Sequence, residues 1–392
     1  MKKDIKILHI SPVVPNVNSG GNLGILQSAY SLTHSGYVVD YLGFDITINV
    51  IREWYKRIYV LPFNTSPVNK LKSYIQLKFD VFYQEWKRLR INYDCYDIIF
   101  VEFTYYDYII RDIRKSGYKG NVVVRVHNIE HDFFRALFQS NKRIINWFKK
   151  ELIDKKERYV IDNSDMLVFL SEVDKHRMDK VYGINRAMKE ILPVSVNYSC
   201  DQLSKLEICE KEKIVALVTG SLWFGPNYDA IKWMIDAIYE SIKDICKIVI
   251  AGYKPAKRLI EICEAKGITL VDSPKDITPY FEEADIFLAP IFEGAGMKVK
   301  IAEAMSYGLP VVSTSFGFIG YNLKDKENCF VANSRDEFIS SIREYKESGC
   351  EEKQRMRKNI LKVYRENYCL EASQKRLKII MTKLLSNQNK ID

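Results

Sequence analysis

No apolar run in the 392-residue chain approaches the ~18 residues needed to cross a bilayer. The start, Met1-Lys2-Lys3-Asp4-Ile5, leads into a strand pattern without a secretory core, so a cytoplasmic location is expected. The eight cysteines form no Cys-x-x-Cys pair and are dispersed, which argues against a structural zinc and a disulfide framework and favours reduced, buried thiols. Asp-x-Asp is missing throughout, and Gly20, Gly21 and Gly24 lack the Gly-x-Gly-x-x-Gly spacing, so neither a carboxylate-held metal nor a dinucleotide is expected. Internal repeats and low-complexity tracts are missing as well.

What the chain does have is apolar content, 47% of its residues, at a length that suits two or three domains of ~150 residues each. Residues 5–10 read as a buried first strand, 20–35 as a helix opened by Gly20-Gly21, and 38–42 as a second strand, with further strands at 98–101, 122–126 and 166–170. A polar, weakly periodic stretch at 195–211 resembles a linker. Strands at 214–218, 247–251, 269–271, 286–288 and 311–313 then restart the pattern, and a basic helical segment from about residue 365 to 385 closes the chain. Strand and helix alternation of this kind implies parallel sheets with helices on both faces, here in two α/β domains.

The net charge of +9 is uneven: residues 1–200 hold 30 Lys/Arg against 22 Asp/Glu. Within them, residues 50–92 carry nine basic and three acidic side chains among aromatics that include Trp54, Tyr55, Phe82 and Trp86. A segment of this composition can bind nucleic acid, an anionic membrane surface, or neither. Residues 70–92 fit an amphipathic helix whose stripe serves either core packing or insertion at a membrane.

Residues 294–312, GAGMKVKIAEAMSYGLPVV, join a glycine-rich loop carrying Lys298 and Lys300 to a helix and then to a strand. Loop glycines such as Gly296 let a backbone approach a ligand, and a helix start offers free N–H groups and partial positive charge. Two lysines there oppose the helix dipole, so an anionic ligand explains them better than a solvated surface. Glu303, one turn inside the helix, accepts hydrogen bonds from hydroxyls and repels phosphate. A nucleotide sugar presents both groups.

Other positions admit a plain and a functional explanation. Gly20 and Gly21 lie between the first strand and helix, at the carboxyl edge where doubly wound sheets bind ligands, and serve either a tight turn or a phosphate cradle. His127 in Val126-His127-Asn128-Ile129-Glu130-His131 falls at a strand's carboxyl end, as an ordinary hydrogen-bonded residue or a ligand contact. Ser221 and Asn227 belong to the loop that opens the second domain's first helix, with Asn227 expected as its N-cap.

With residues 284–290, ADIFLAP, the 294–312 stretch resembles the donor-binding segment of family 4 glycosyltransferases of the GT-B fold. Those enzymes usually carry two glutamates with seven residues between them; Glu303 matches the second, Ala295 stands at the first, and Gly296 to Lys300 matches the branch with a Gly-x-x-x-Lys loop. The resemblance implies two Rossmann-like domains facing each other across a cleft: 1–196 on the acceptor side, 213–365 for the nucleotide sugar, and a C-terminal helix within 366–392 returning to the first domain. It implies a retaining, metal-independent hexosyltransferase in polysaccharide biosynthesis, with a nucleotide-sugar donor as substrate and no cofactor. His127 would position the sugar and Glu303 would hold the ribose, while Gly20, Gly21, Ser221, Asn227, Gly296, Lys298 and Lys300 would line the diphosphate. Many relatives carry arginine and lysine where Ser221 and Asn227 stand, so the compensating charge is expected from Lys298 and Lys300. The implied acceptor is a glycan, lipid-linked or protein-borne group, with an anionic membrane surface as a partner through residues 50–92 and no nucleic acid. A sugar-nucleotide epimerase of the same fold and a catalytically silent partner subunit, the latter suggested by Ala295, stay open as alternatives.

Overall fold

The computed structural model describes residues 4–13, 20–45, 49–62, 66–67, 82–137, 144–197 and 211–388. The chain divides into two compact units, Met1–Pro193 with Ser373–Asp392, and Val194–Ala372.

The first unit holds strands β1 (Lys6–Ser11), β2 (Val38–Phe44), β3 (Arg57–Leu61), β4 (Ile98–Glu102), β5 (Asn121–Val126), β6 (Met166–Phe169) and β7 (Met188–Ile191). They form one parallel sheet in the order β3-β2-β1-β4-β5-β6-β7. The central strands are near-continuous apolar runs because helices cover both faces. Their period of two sends Ile7, Phe100, Val123 and Met166 to one face and Leu8, Ile99, Val124 and Leu167 to the other. The last helix, Leu370–Gln388, packs Leu377, Ile380, Met381 and Leu384 against the first of these faces.

The helical segment expected over 365–385 is in fact parts of two helices, Cys350–Asn367 and Leu370–Gln388. The break comes where Val196 pairs with Cys369 and donates its N–H to the Tyr368 carbonyl at 3.0 Å, taking up an acceptor that a continuous helix would use.

The second unit holds β8 (Ile214–Ser221), β9 (Cys246–Tyr253), β10 (Thr269–Asp272), β11 (Ile286–Ala289), β12 (Val311–Ser313) and β13 (Cys329–Val331), a parallel sheet in the order β10-β9-β8-β11-β12-β13. Three strands escape the sequence reading: β3, β7 and β13. All three are sheet edges, and the partly exposed sequences RIYVL and MKEI lack the unbroken apolar character of a strand buried on both faces.

Of the expected 70–92 helix, residues 70–81 lie outside the described residues, and Phe82–Trp86 is a five-residue helix. Tyr55, Phe82 and Trp86 are buried in core clusters, so these three aromatics of the basic segment are packing residues. Among the described residues no helix is long and apolar enough to cross a membrane.

Candidate functional site

The carboxyl ends of the two sheets each carry a polar cluster. In the first unit β1, β4 and β5 are neighbouring central strands, which brings His9, Glu102 and His127 together from distant points of the chain. Glu102 ends β4 with its side chain fully buried, and its two oxygens accept from His9 Nε2 at 2.8 Å and His127 Nε2 at 2.5 Å. His9 Nδ1 lies 2.7 Å from the Tyr55 hydroxyl. Burial pushes the Glu102 carboxyl up, but the hydrogen bonds from His127 and His9 outweigh it and hold the group well below the usual carboxylate range. Burial pushes His127 below its ordinary value against the pull of Glu102, so near neutral pH the pair is a carboxylate beside a neutral imidazole.

Arg125, in β5, is also fully buried and donates to Gln27 Oε1 at 2.7 Å and Ser28 Oγ at 3.2 Å. Burial pushes its pKa down to about 10, with the Glu102 charge acting the other way. Arginine therefore stays charged and balances Glu102 within the protein.

The His127 ring is tightly held. Phe103 stacks on it with centroids 4.2 Å apart, from a backbone φ of 68° that is unusual for a bulky residue. A Cβ at Gly24 would fall 2.7 Å from Cε1 and 2.8 Å from Nδ1, so any side chain there would displace the imidazole. Gly20 and Gly21 open the same helix, Gly20–Thr33, two turns of which carry Gln27 and Ser28 to Arg125.

His131 does not join His127. Its Nδ1 lies 3.0 Å from Asp154 Oδ1, and its N–H with that of Glu130 donates to Glu157 at 3.0 Å each. Thr104 and Tyr182 hydroxyls also donate to Glu157, at 2.7 Å each, so a buried carboxylate caps the helix Glu130–Leu137. Burial, with the Glu157 charge beside it, raises Glu130 well above the carboxylate range. No group of three or more His, Cys, Asp or Glu suited to a metal occurs among the described residues.

In the second unit the loop after β11 turns through Gly294 (φ 124°) and Gly296 (φ 62°), conformations that favour glycine. The helix Val299–Ser306 follows, with Lys298 at its N-cap. Lys298 folds back, donating to the carbonyls of Ala295 at 3.0 Å and Gly296 at 2.8 Å and lying over the Phe316 ring. Lys300 instead reaches the end of β8, where its Nζ donates to Asn227 Oδ1 at 2.9 Å. Asn227 Nδ2 donates to the Ser221 carbonyl at 3.0 Å. Asn227 is not the N-cap expected from the sequence: Phe224 caps the helix Gly225–Ala237, and Asn227 sits in its first turn, free to bridge Ser221 and Lys300. A side chain at Gly220 would start 3.1 Å from Asn227 Nδ2 and 3.3 Å from Lys300 Nζ, so the missing Cβ gives the lysine its place.

Burial pushes Lys300 down to about 8, against the pull of Glu303 and with the push of Lys298. Glu303 lies one turn on, on the same helix face, and is half-buried. Lys300 makes no further hydrogen bond among the described residues. The arrangement is a partly dry cation at a sheet's carboxyl edge, beside a helix start, with a carboxylate a turn away.

His9, Glu102 and Arg125 were not singled out by the sequence reading. A signal for them exists: each interrupts or ends a strand run that is otherwise apolar (KILHIS, IIFVE, NVVVRV), and a polar group buried there must find a partner. The sequence does not show which partners, because pairing depends on sheet order.

Residues 213–347 match the family model described as group 1 glycosyl transferases. Over 391 residues the chain is 27% identical to an uncharacterized 44.6 kDa protein in the cps region of Klebsiella pneumoniae, covering 93% of this chain and 96% of that protein. Among solved structures it is similar to sucrose-phosphate synthase from Thermosynechococcus elongatus, with a TM-score of 0.72 at 14% identity, covering 98% of this chain and 100% of the other. It is likewise similar to Anabaena Alr3699/HepE in complex with UDP and glucose, with a TM-score of 0.66 at 11% identity, covering 96% and 99%. At these identities the structural likeness establishes the fold, two parallel α/β sheets as in GT-B proteins.

Proposed function

We propose, from the match of residues 213–347 to the group 1 glycosyl transferases, that this chain moves a hexose from a nucleoside diphosphate donor to a glycan, lipid-linked or protein-borne acceptor, with retention of configuration. The cps-region relative supports a role in polysaccharide biosynthesis, and the UDP and glucose named for the Anabaena structure make a UDP-hexose the first donor to try.

One observation carries the reading: Lys300 Nζ, 2.9 Å from Asn227, supplies positive charge where the β8 loop itself has none. The bond between the anomeric carbon and the diphosphate oxygen breaks as the acceptor oxygen bonds to that carbon, and the leaving phosphate takes the acceptor's proton. Charge therefore builds on the diphosphate, where Lys300 and the N–H groups of Val299–Ser306 stabilise it. Lys298, tied to its own loop, shapes Gly296 and its neighbours and adds charge at longer range. Glu303 accepts from the ribose hydroxyls, Ser221 and Asn227 orient Lys300, Gly20 and Gly21 contribute backbone to the phosphate, and His127 contacts the sugar. Since Lys300 supplies the cation, turnover needs no metal, and a chelator leaves it unchanged.

A thermal-shift panel of nucleotide sugars identifies the donor through the stabilisation that binding confers. With that donor, Glu303→Ala weakens binding by about 1.5–3 kcal/mol, the worth of a charge-assisted hydrogen bond. Calorimetric titration measures it. An unchanged affinity in a folded variant removes Glu303 from the site.

A further inference from the structure

We propose that Glu102 is a positioning residue for this reaction, fixing the tautomer of His127 so that its Nδ1 is left unprotonated as an acceptor for a ligand hydroxyl. The inference rests on the reading of His127 as a sugar contact.

An ionised carboxylate only accepts, so both imidazole nitrogens that touch Glu102 must donate. His9 Nε2 takes one oxygen at 2.8 Å and His127 Nε2 the other at 2.5 Å. His9 Nδ1 lies 2.7 Å from the Tyr55 hydroxyl, which closes that branch of the network. On the other branch, His127 Nδ1 has no protein partner among the described residues. A positive charge on His127 is disfavoured, because Arg125 already balances Glu102 and the ring is buried.

The ring cannot turn over to exchange its nitrogens without breaking the 2.5 Å bond and the stack on Phe103. Its Nδ1–Cε1 edge lies beside Gly24, and around the place a Cβ would take there no other side chain of the described residues comes within 4 Å. A hydroxyl can donate to such a nitrogen, whereas a phosphate oxygen cannot. This assigns His127 to a sugar hydroxyl and away from the diphosphate.

Selective isotope labelling of histidine in the full chain, with His127 identified by its loss in His127→Asn, reads the tautomer by nitrogen-detected NMR. The expected wild-type spectrum at neutral pH shows His127 protonated at Nε2 alone. Protonation at Nδ1, in either the other tautomer or the cation, overturns the proposal without any activity assay. Glu102→Gln keeps the shape but offers one acceptor and one donor, so one of the two rings must change tautomer. The expected result is an altered His127 resonance and a loss of kcat on the order of 100-fold, as for misplacement of a reacting group, with affinity for free nucleoside diphosphate unchanged. A folded Glu102→Gln variant with wild-type kcat and wild-type His127 resonances overturns the positioning role. Should that variant fail to fold, the wild-type spectrum still decides. Absence of any donor turnover alongside an Nε2-protonated His127 defeats the glycosyltransferase reading while leaving the tautomer assignment standing.

Discussion

Lys300 makes the most direct prediction at the scale of one residue. Its pKa is pushed down to about 8 in the free protein, and a bound diphosphate raises it by charge, so binding takes up a proton. Affinity for nucleoside diphosphate therefore falls as pH rises past about 8, and titration in buffers of different ionisation enthalpy shows net proton uptake near that pH. Lys300→Ala removes the pH dependence and weakens diphosphate binding by ~1.5–3 kcal/mol while sparing the free nucleoside. Equal loss for both ligands assigns Lys300 to something other than phosphate. Glu130 gives a second residue-scale test, of stability. Its folded-state value is raised by burial and by Glu157, so its contribution is fully present below the unfolded carboxylate value and is lost as pH rises through the folded one. Glu130→Gln raises Tm at neutral pH, and the gain shrinks toward pH ~4, where the unfolded glutamate is protonated too. A neutral variant that melts lower at pH 7 contradicts the assignment of a buried, unfavourable carboxyl.

Among the elements, the last helix is the one whose contribution is most readily measured. Leu377 is fully buried in the cluster with Ile7, Tyr41 and Phe100, so Leu377→Ala removes ~2–5 kcal/mol of first-unit stability in chemical denaturation. Lys378, on the helix's other side, can be replaced by Ala with little effect. Strand registers explain which elements the sequence revealed. β1, β4, β5 and β6 are buried on both faces and read as apolar runs, whereas β3 and β7 sit at edges with partly exposed side chains, and β13 is a buried edge strand of only three residues, too short to read as a run. The helix break at Tyr368-Cys369 was equally illegible, since it depends on Val196, far away in sequence, pairing with Cys369.

For the molecule as a whole, two α/β units follow from the alternation of strands and helices, and the glycines and lysines at a helix start make the 294–312 stretch legible as a candidate anion site. The sequence did not reveal how the lysines divide their work. Lys298 and Lys300 look alike as a pair, yet only the loop geometry turns Lys298 onto Ala295 and Gly296 and sends Lys300 to Asn227. The histidine–carboxylate cluster was hidden for the same reason: His9, Glu102 and His127 are 93 and 25 residues apart, and the strand order alone makes them neighbours. The central claim is that this chain transfers a sugar from a nucleoside diphosphate. The measurement that tests it most directly is product analysis by NMR, after incubation of the full chain with the donor selected by thermal shift and a lipid-linked or glycan acceptor. The account predicts acceptor-dependent release of nucleoside diphosphate and a new glycosidic bond with the donor's anomeric configuration, both greatly reduced in Lys300→Ala. Conversion of the nucleotide sugar to an epimer with no acceptor present, or no release of nucleoside diphosphate from a donor that binds, would contradict it.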